Sequence, residues 1–70
     1  MRAYNLFRRK GPSPLYCAVP EDLAVPRFVT DARWAFEGKI APGLPGPVGF
    51  DAASADDGAR LNGFYLFQEV

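Results

Sequence analysis

The sequence predicts a small α+β fold, in which an antiparallel sheet of about four strands carries one short helix packed on one face. Two observations lead to this prediction. Four segments show the alternation or the β-favouring composition of strands, and one alanine-rich segment near the C-terminus has helix-capping residues at both ends. The 70 residues suit a single domain, 1–70, with the element order β-β-β-α-β.

The first two strands are predicted to form a hairpin. In the segment 3–9 (AYNLFRR), Tyr4 and Leu6 share one side, as the two-residue period of a strand requires. The segment 15–19 (LYCAV) is short, apolar and β-favouring. Because the residues at 11–14 (GPSP) favour a turn, we expect the two segments to pair with each other.

The third strand is predicted at 33–40 (RWAFEGKI), where apolar and polar residues alternate most clearly. Before it, the segment 21–31 is expected to be a loop with one helical turn after Pro26. Strict alternation places four residues of the third strand on one face of the sheet: Trp34, Phe36, Gly38 and Ile40. The rings of this set are interpreted as core, with an exposed binding platform as the alternative.

A short helix is predicted at 51–61, after a Gly- and Pro-rich connector at 41–49. Asp51 suits the N-cap, and Asn62-Gly63 can end the helix in the left-handed conformation. The last strand, 64–70, has apolar residues on both sides. We therefore expect it to be central in the sheet or to take part in a dimer.

The composition excludes several classes of function. The chain has no histidine and one cysteine, so it lacks the usual catalytic base, an internal disulfide and any zinc-site spacing. We expect no enzymatic activity, no metal site and no cofactor. Cys17 is interpreted as a buried structural thiol, and the carboxylates of Asp51, Asp56 and Asp57 as helix-capping or solvated groups.

No secretory signal or membrane-spanning run is apparent, so we expect a cytoplasmic protein that does not contact a membrane. Arginine outnumbers lysine, and alanine, glycine and proline are abundant, which indicates a GC-rich bacterial source.

One candidate site is a nucleic-acid contact at the predicted hairpin tip. The basic run there lies near aromatic positions, a combination typical of proteins that bind single strands. The candidate residues are Arg8, Arg9, Lys10, Tyr4 and Tyr16. A solvated turn is the favoured alternative, because three positive charges in a chain of zero net charge attract phosphates only weakly. Nucleic-acid binding is therefore the second of two functional hypotheses.

The first hypothesis is a non-catalytic protein-interaction module that forms a homodimer. Seventy residues are hard to stabilise without a disulfide or a metal, and burying a face against a second copy would help. The candidate interface is the final strand, with Phe64, Tyr65, Leu66 and Phe67. A partner other than a second copy is left open.

The first half of the chain also resembles a group of small proteobacterial proteins of unknown function. The shared features are a strand ending in Ala-Val-Pro-Glu, here within Tyr16–Glu21, followed by a proline and a tryptophan, here Pro26 and Trp34. The resemblance implies no activity and assigns no functional residue.

Overall fold

The protein has the α+β architecture that the sequence predicts. A computed structural model describes residues 2–12, 15–43 and 45–68. Four strands form one antiparallel sheet in the order β3-β1-β2-β4. The elements are β1 (Tyr4–Arg9), β2 (Leu15–Pro20), a 3-10 helix (Arg27–Thr30), β3 (Trp34–Ile40), α1 (Ala52–Asn62) and β4 (Tyr65–Gln68).

The predicted hairpin is confirmed. Strands β1 and β2 pair antiparallel, with Leu6 opposite Ala18 and Phe7 opposite Cys17. Directly opposed residues point to the same face of a sheet, so this register sorts the two strands into two apolar faces. The turn residues 13 and 14 lie outside the described part of the chain.

Helix α1 has the caps that the sequence predicts. The Ser54 backbone N–H donates to the Asp51 carboxylate at 3.0 Å, which satisfies one of the free donors of the first turn. At the other end Gly63 has φ 85°, the left-handed conformation that glycine adopts without strain. Two small buried residues, Ala55 and Ala59, let the helix lie close over β2 and β4.

One face of the sheet is called here the helix-side face. Helix α1 covers it over β2 and β4, and Phe50 packs on Tyr4 of β1. The buried residues of this face come from all four strands and from the helix, and Phe50 and Tyr65 pack around them. The members are Tyr4, Leu6, Tyr16, Ala18, Ile40, Ala55 and Phe67. This larger of the two apolar clusters forms the main core of the domain.

The opposite face is called here the open face, and among the described residues the segment between β2 and β3 covers it. The 3-10 helix appears where one helical turn is predicted, and it buries Val29 against Cys17 and Val19. Its neighbour Phe28 stays 40% exposed. The open face therefore has a small core that is surrounded by exposed and half-buried aromatic rings.

The expectation that four residues of β3 share one face is wrong. Leu6 lies opposite Gly38, whereas the next residue, Phe7, lies opposite Phe36, so β3 carries one extra residue at this point. Such a β-bulge reverses the side on which the following residues point. Gly38 has φ 156°, a conformation that side-chain-bearing residues rarely adopt. As a result Ile40 is buried on the helix-side face, and Phe36 lies on the open face.

The last strand is not central. Strand β4 lies at the edge of the sheet and pairs with β2, Cys17 being opposite Leu66. Its two faces differ, since Phe67 is buried on the helix side while Leu66 is 42% exposed on the open face. The predicted continuation of this strand through 69–70 lies outside the described residues.

Candidate interaction surface

The open face carries the most prominent apolar surface of the described chain. Three of its members are well exposed: Phe36 at 59%, Leu66 at 42% and Phe28 at 40%. Three further rings are half-buried between these residues and the small core. We call this set the open-face patch: Phe7, Phe28, Trp34, Phe36, Phe64 and Leu66.

The rings of the open-face patch form two contacting groups. Phe36 packs edge-on against Phe7, with 5.7 Å between ring centroids. Phe28 packs edge-on against both Trp34, at 5.7 Å, and Phe64, at 5.1 Å. Edge-to-face pairs at these distances are favourable, so the patch is ordered before any partner arrives. A preorganised aromatic surface loses little side-chain entropy when it binds.

Basic residues border the patch where β1 ends. Arg9 lies opposite Trp34 in the β1–β3 register, and the Lys10 backbone N–H donates to the Arg33 carbonyl at 2.7 Å. The Arg33 side chain donates to the Asp31 carboxylate at 3.1 Å. Hydrogen bonds from the side chain and the backbone of Arg33 lower the pKa of Asp31, which keeps this carboxylate charged.

The structure separates the two halves of the predicted nucleic-acid contact. Tyr4 is 5% exposed and Tyr16 is similarly buried, both beneath the helix-side layer, so neither ring is available to stack on a base. Arg9 and Lys10 are exposed, while Arg8 is half-buried. The rings that do lie near the basic run are Trp34 and Phe36. Sequence reasoning missed this because only the covering helix decides which tyrosines are buried.

The structure also divides the predicted interface residues between two faces. Phe67 is buried and stacks on Tyr16 at 5.2 Å and on Tyr65 at 5.5 Å, so it belongs to the core of one copy. Tyr65 is half-buried beside it. Leu66 and Phe64 point to the open face and belong to the patch. Only these last two candidates occupy a surface that a partner can reach.

Cys17 is the buried thiol that the sequence predicts. It is fully buried against Val19 and Val29, and burial raises the pKa of its thiol to about 12. A thiol that stays protonated is neither a nucleophile nor a metal ligand.

The carboxylates are engaged in local contacts. Asp51 caps α1, and hydrogen bonds from the Ser54 side chain and backbone lower the pKa of Asp51. Asp56 pairs with Arg2, while Asp57 pairs with Arg60. Within residues 2–12, 15–43 and 45–68, no group of three or more His, Cys, Asp or Glu side chains is arranged to hold a metal ion.

Comparisons with known proteins give no match that would assign a family to the chain. Neither protein-family models, nor curated proteins, nor solved structures give a match. The resemblance to small proteobacterial proteins therefore stays a prediction. Among the helices that the structure describes, none combines the length and the apolar character needed to cross a bilayer.

Proposed function

We propose that the protein is a non-catalytic interaction module of the bacterial cytoplasm that self-associates through the open-face patch. The observation that carries this proposal is the exposure of Phe36, Leu66 and Phe28 on one ordered sheet face, while α1 covers the other face. Contiguous apolar surface of this kind marks interaction sites on small domains. A second copy would bury the rings that the chain leaves in contact with water.

The charge distribution favours a second copy as the partner. Residues 1–40 carry seven basic and four acidic side chains, whereas residues 41–70 carry one basic and four acidic ones. The N-terminal part is thus net +3 and the C-terminal part net −3. A two-fold pair brings the same surface together in opposite directions, so the positive part of one copy can approach the negative part of the other.

The oligomeric state and its dependence on Phe36 test the proposal. Sedimentation equilibrium of the full chain is expected to show a dimer that dissociates on dilution through the micromolar range. Phe36→Lys is expected to shift the equilibrium to monomer, because it places a charge on the most exposed ring of the patch. Since the Phe36 side chain is largely exposed, the variant is expected to keep its fold, which circular dichroism checks.

Leu61→Lys is the matched control. Leu61 is an apolar residue of α1 that is 78% exposed and lies outside the patch. This variant is expected to dimerise like the unmodified chain. A monomer of 7.7 kDa at every concentration would refute the proposal, as would equal effects of the two lysine substitutions.

A second function, single-stranded nucleic-acid binding, is favoured by the position of Arg9 next to Trp34 and near Phe36. Cations that border exposed rings can contact phosphates while bases stack on the rings. This site differs from the one that the sequence predicts, because Phe36 and Trp34 replace Tyr4 and Tyr16 as the stacking rings.

Titration with a fluorescent oligothymidylate separates the two functions. Nucleic-acid binding predicts an affinity that falls steeply between 50 and 200 mM salt. Arg9→Gln is expected to weaken the binding and to reduce the slope of log affinity against log salt concentration by roughly one unit, because one phosphate contact is lost. Arg27→Gln, on the 3-10 helix, is the control for loss of one positive charge. No binding at 50 mM salt would exclude this second function and leave self-association unaffected.

A further inference from the structure

A cavity of about 650 Å³ lies between the start of α1, the residues Ala41, Gly43 and Pro45, and the adjoining ends of β1 and β3. Its floor is apolar, formed by Tyr4, Ile40 and Phe50. The Tyr4 and Phe50 rings pack edge-on with 5.6 Å between centroids. This volume lies within the range of small-molecule sites. The cavity is on the helix-side layer and is separate from the open-face patch.

The floor of the cavity is held in place. Besides Tyr4, the Phe50 ring contacts Tyr65 and Phe67, so it is fixed from two sides. Gly46 lies against the same ring: a Cβ added there would come within 2.8 Å of Phe50. The cavity therefore exists without a ligand and is not opened by a moving side chain.

Arg2 and Asp56 form an ion pair at the rim of the cavity. Arg2 Nε donates to Asp56 Oδ1 at 3.2 Å, and Asp56 Oδ2 lies 3.9 Å from Arg60 Nε, so both carboxylate oxygens face a cation. In the part of the chain that the structure describes, the other guanidinium N–H groups of Arg2 have no acceptor. An arginine can offer these donors together to one carboxylate.

Two further sets of donors lie at the cavity. The Tyr4 side chain is 5% exposed, and its hydroxyl makes no hydrogen bond with any residue in 2–12, 15–43 or 45–68. Burial raises the pKa of Tyr4, the Asp56 charge raises it further and the Arg2 charge lowers it, so the hydroxyl keeps its proton. Ala52 and Ala53 also line the cavity, and first-turn N–H groups of a helix lack intrahelical acceptors.

We propose that this cavity binds a small aromatic monocarboxylate, with the apolar body against the half-buried Phe50 ring and the carboxylate on the Arg2 guanidinium. The ligand carboxylate accepts hydrogen bonds from Arg2 and from the Tyr4 hydroxyl. The start of α1 adds little attraction, because the Asp51 carboxylate already caps it. Asp56 competes with the ligand for Arg2. Removal of the Asp56 charge therefore strengthens binding, whereas removal of the Arg2 charge weakens it.

Binding of 3-phenylpropionate to the full chain, followed by amide and methyl NMR shifts, tests this proposal. Shifts are expected at the cavity residues, with an affinity that Arg2→Gln lowers about tenfold and Asp56→Asn raises several-fold. Asp57→Asn is the control for Asp56→Asn, since it removes the neighbouring charge, which pairs with Arg60 outside the cavity. It is expected to leave the affinity unchanged.

The amine 3-phenylpropylamine tests the sign of the charge. The proposal predicts that the amine binds more weakly than the acid and that Asp56→Asn does not raise the affinity for the amine. Tighter binding of the amine, lost in Asp56→Asn, would overturn the proposal in favour of a cationic ligand. Shifts that map to the open face, or no shifts with either probe at 10 mM, would overturn it as well. None of these results depends on whether the protein self-associates.

Discussion

The two faces of the sheet are built from the same four strands but are completed differently. The helix-side face is closed by an 11-residue helix whose small residues, Ala55 and Ala59, allow close approach, and its large side chains are buried. In the part of the chain that the structure describes, the short 3-10 helix closes the open face and supplies Val29 to a core completed by Cys17 and Val19.

The contrast shows that aromatic content alone does not make a core. Phe67 and Phe36 are the same residue type on strands of one sheet, yet Phe67 is buried and Phe36 is 59% exposed. What differs is the element above each ring. We therefore expect substitutions on the helix-side face to change the stability of the single chain, and substitutions on the open face to change binding.

The largest expected effect is that of Phe67→Ala. The ring is buried between Tyr16 and Tyr65, and removing it should lower the free energy of unfolding by about 3–5 kcal/mol. Urea denaturation followed by fluorescence measures this loss. A loss below about 1 kcal/mol would mean that the helix-side face is not the main core.

Cys17 tests the small core of the open face through pH. Its thiol has an ordinary value near 9 and is raised to about 12 in the folded chain. Below pH 9 the folded and unfolded states both hold the proton. Above pH 9 the unfolded chain releases it first, so stability should fall with rising pH by up to about 1.4 kcal/mol per pH unit.

Denaturation at pH 7.5 and pH 10.5 should show this decline in the unmodified chain and a smaller one in Cys17→Ala. Tyr4→Phe is the control, because the raised pKa of Tyr4 contributes in the same direction at higher pH. Equal declines in the unmodified chain and in Cys17→Ala would show that the thiol is not buried.

Gly58→Ala tests how closely α1 approaches β4. Alanine normally stabilises a helix interior by about 1 kcal/mol relative to glycine. Here the added Cβ would come within 2.9 Å of the Phe64 carbonyl oxygen. Because this oxygen belongs to the backbone, it cannot relieve the clash by a change of rotamer. We therefore expect a net loss of about 1 kcal/mol by urea denaturation. A gain in stability would show that helix and strand are further apart.

The smallest expected effect on stability is that of Phe36→Ala, within about 0.5 kcal/mol, because the ring is mostly exposed. The same variant should weaken self-association in sedimentation experiments. Loss of stability as large as that of Phe67→Ala would remove the distinction between the two faces.

Local signals in the sequence were sufficient to predict the elements. The alternation around Tyr4 and Leu6, the cap at Asp51 and the stop at Gly63 all act within a few residues, and the structure confirms each of them. Pro26 likewise precedes the single helical turn that was expected after it.

The sequence could not predict relations between elements that are distant along the chain. Strict alternation in β3 placed Phe36 with Ile40, and only the pairing with β1 reveals the bulge between them. Gly38 was the available signal, since an isolated glycine inside a strand often marks a bulge. The edge position of β4 and the cavity beside Arg2 depend on how separate segments pack, for which no local pattern exists.

The pairing of β2 with β4 has a consequence for how the chain folds. Leu15 lies opposite Gln68, so this ladder joins two segments that are separated by residues 16–67, whereas the hairpin closes over a few residues. Contacts between remote segments form late because a long loop must close first. While the chain is being synthesised, the backbone N–H and C=O groups along one edge of β2 therefore stay unpaired until β4 has been made. That interval is when a nascent copy is most exposed to pairing with the wrong strand.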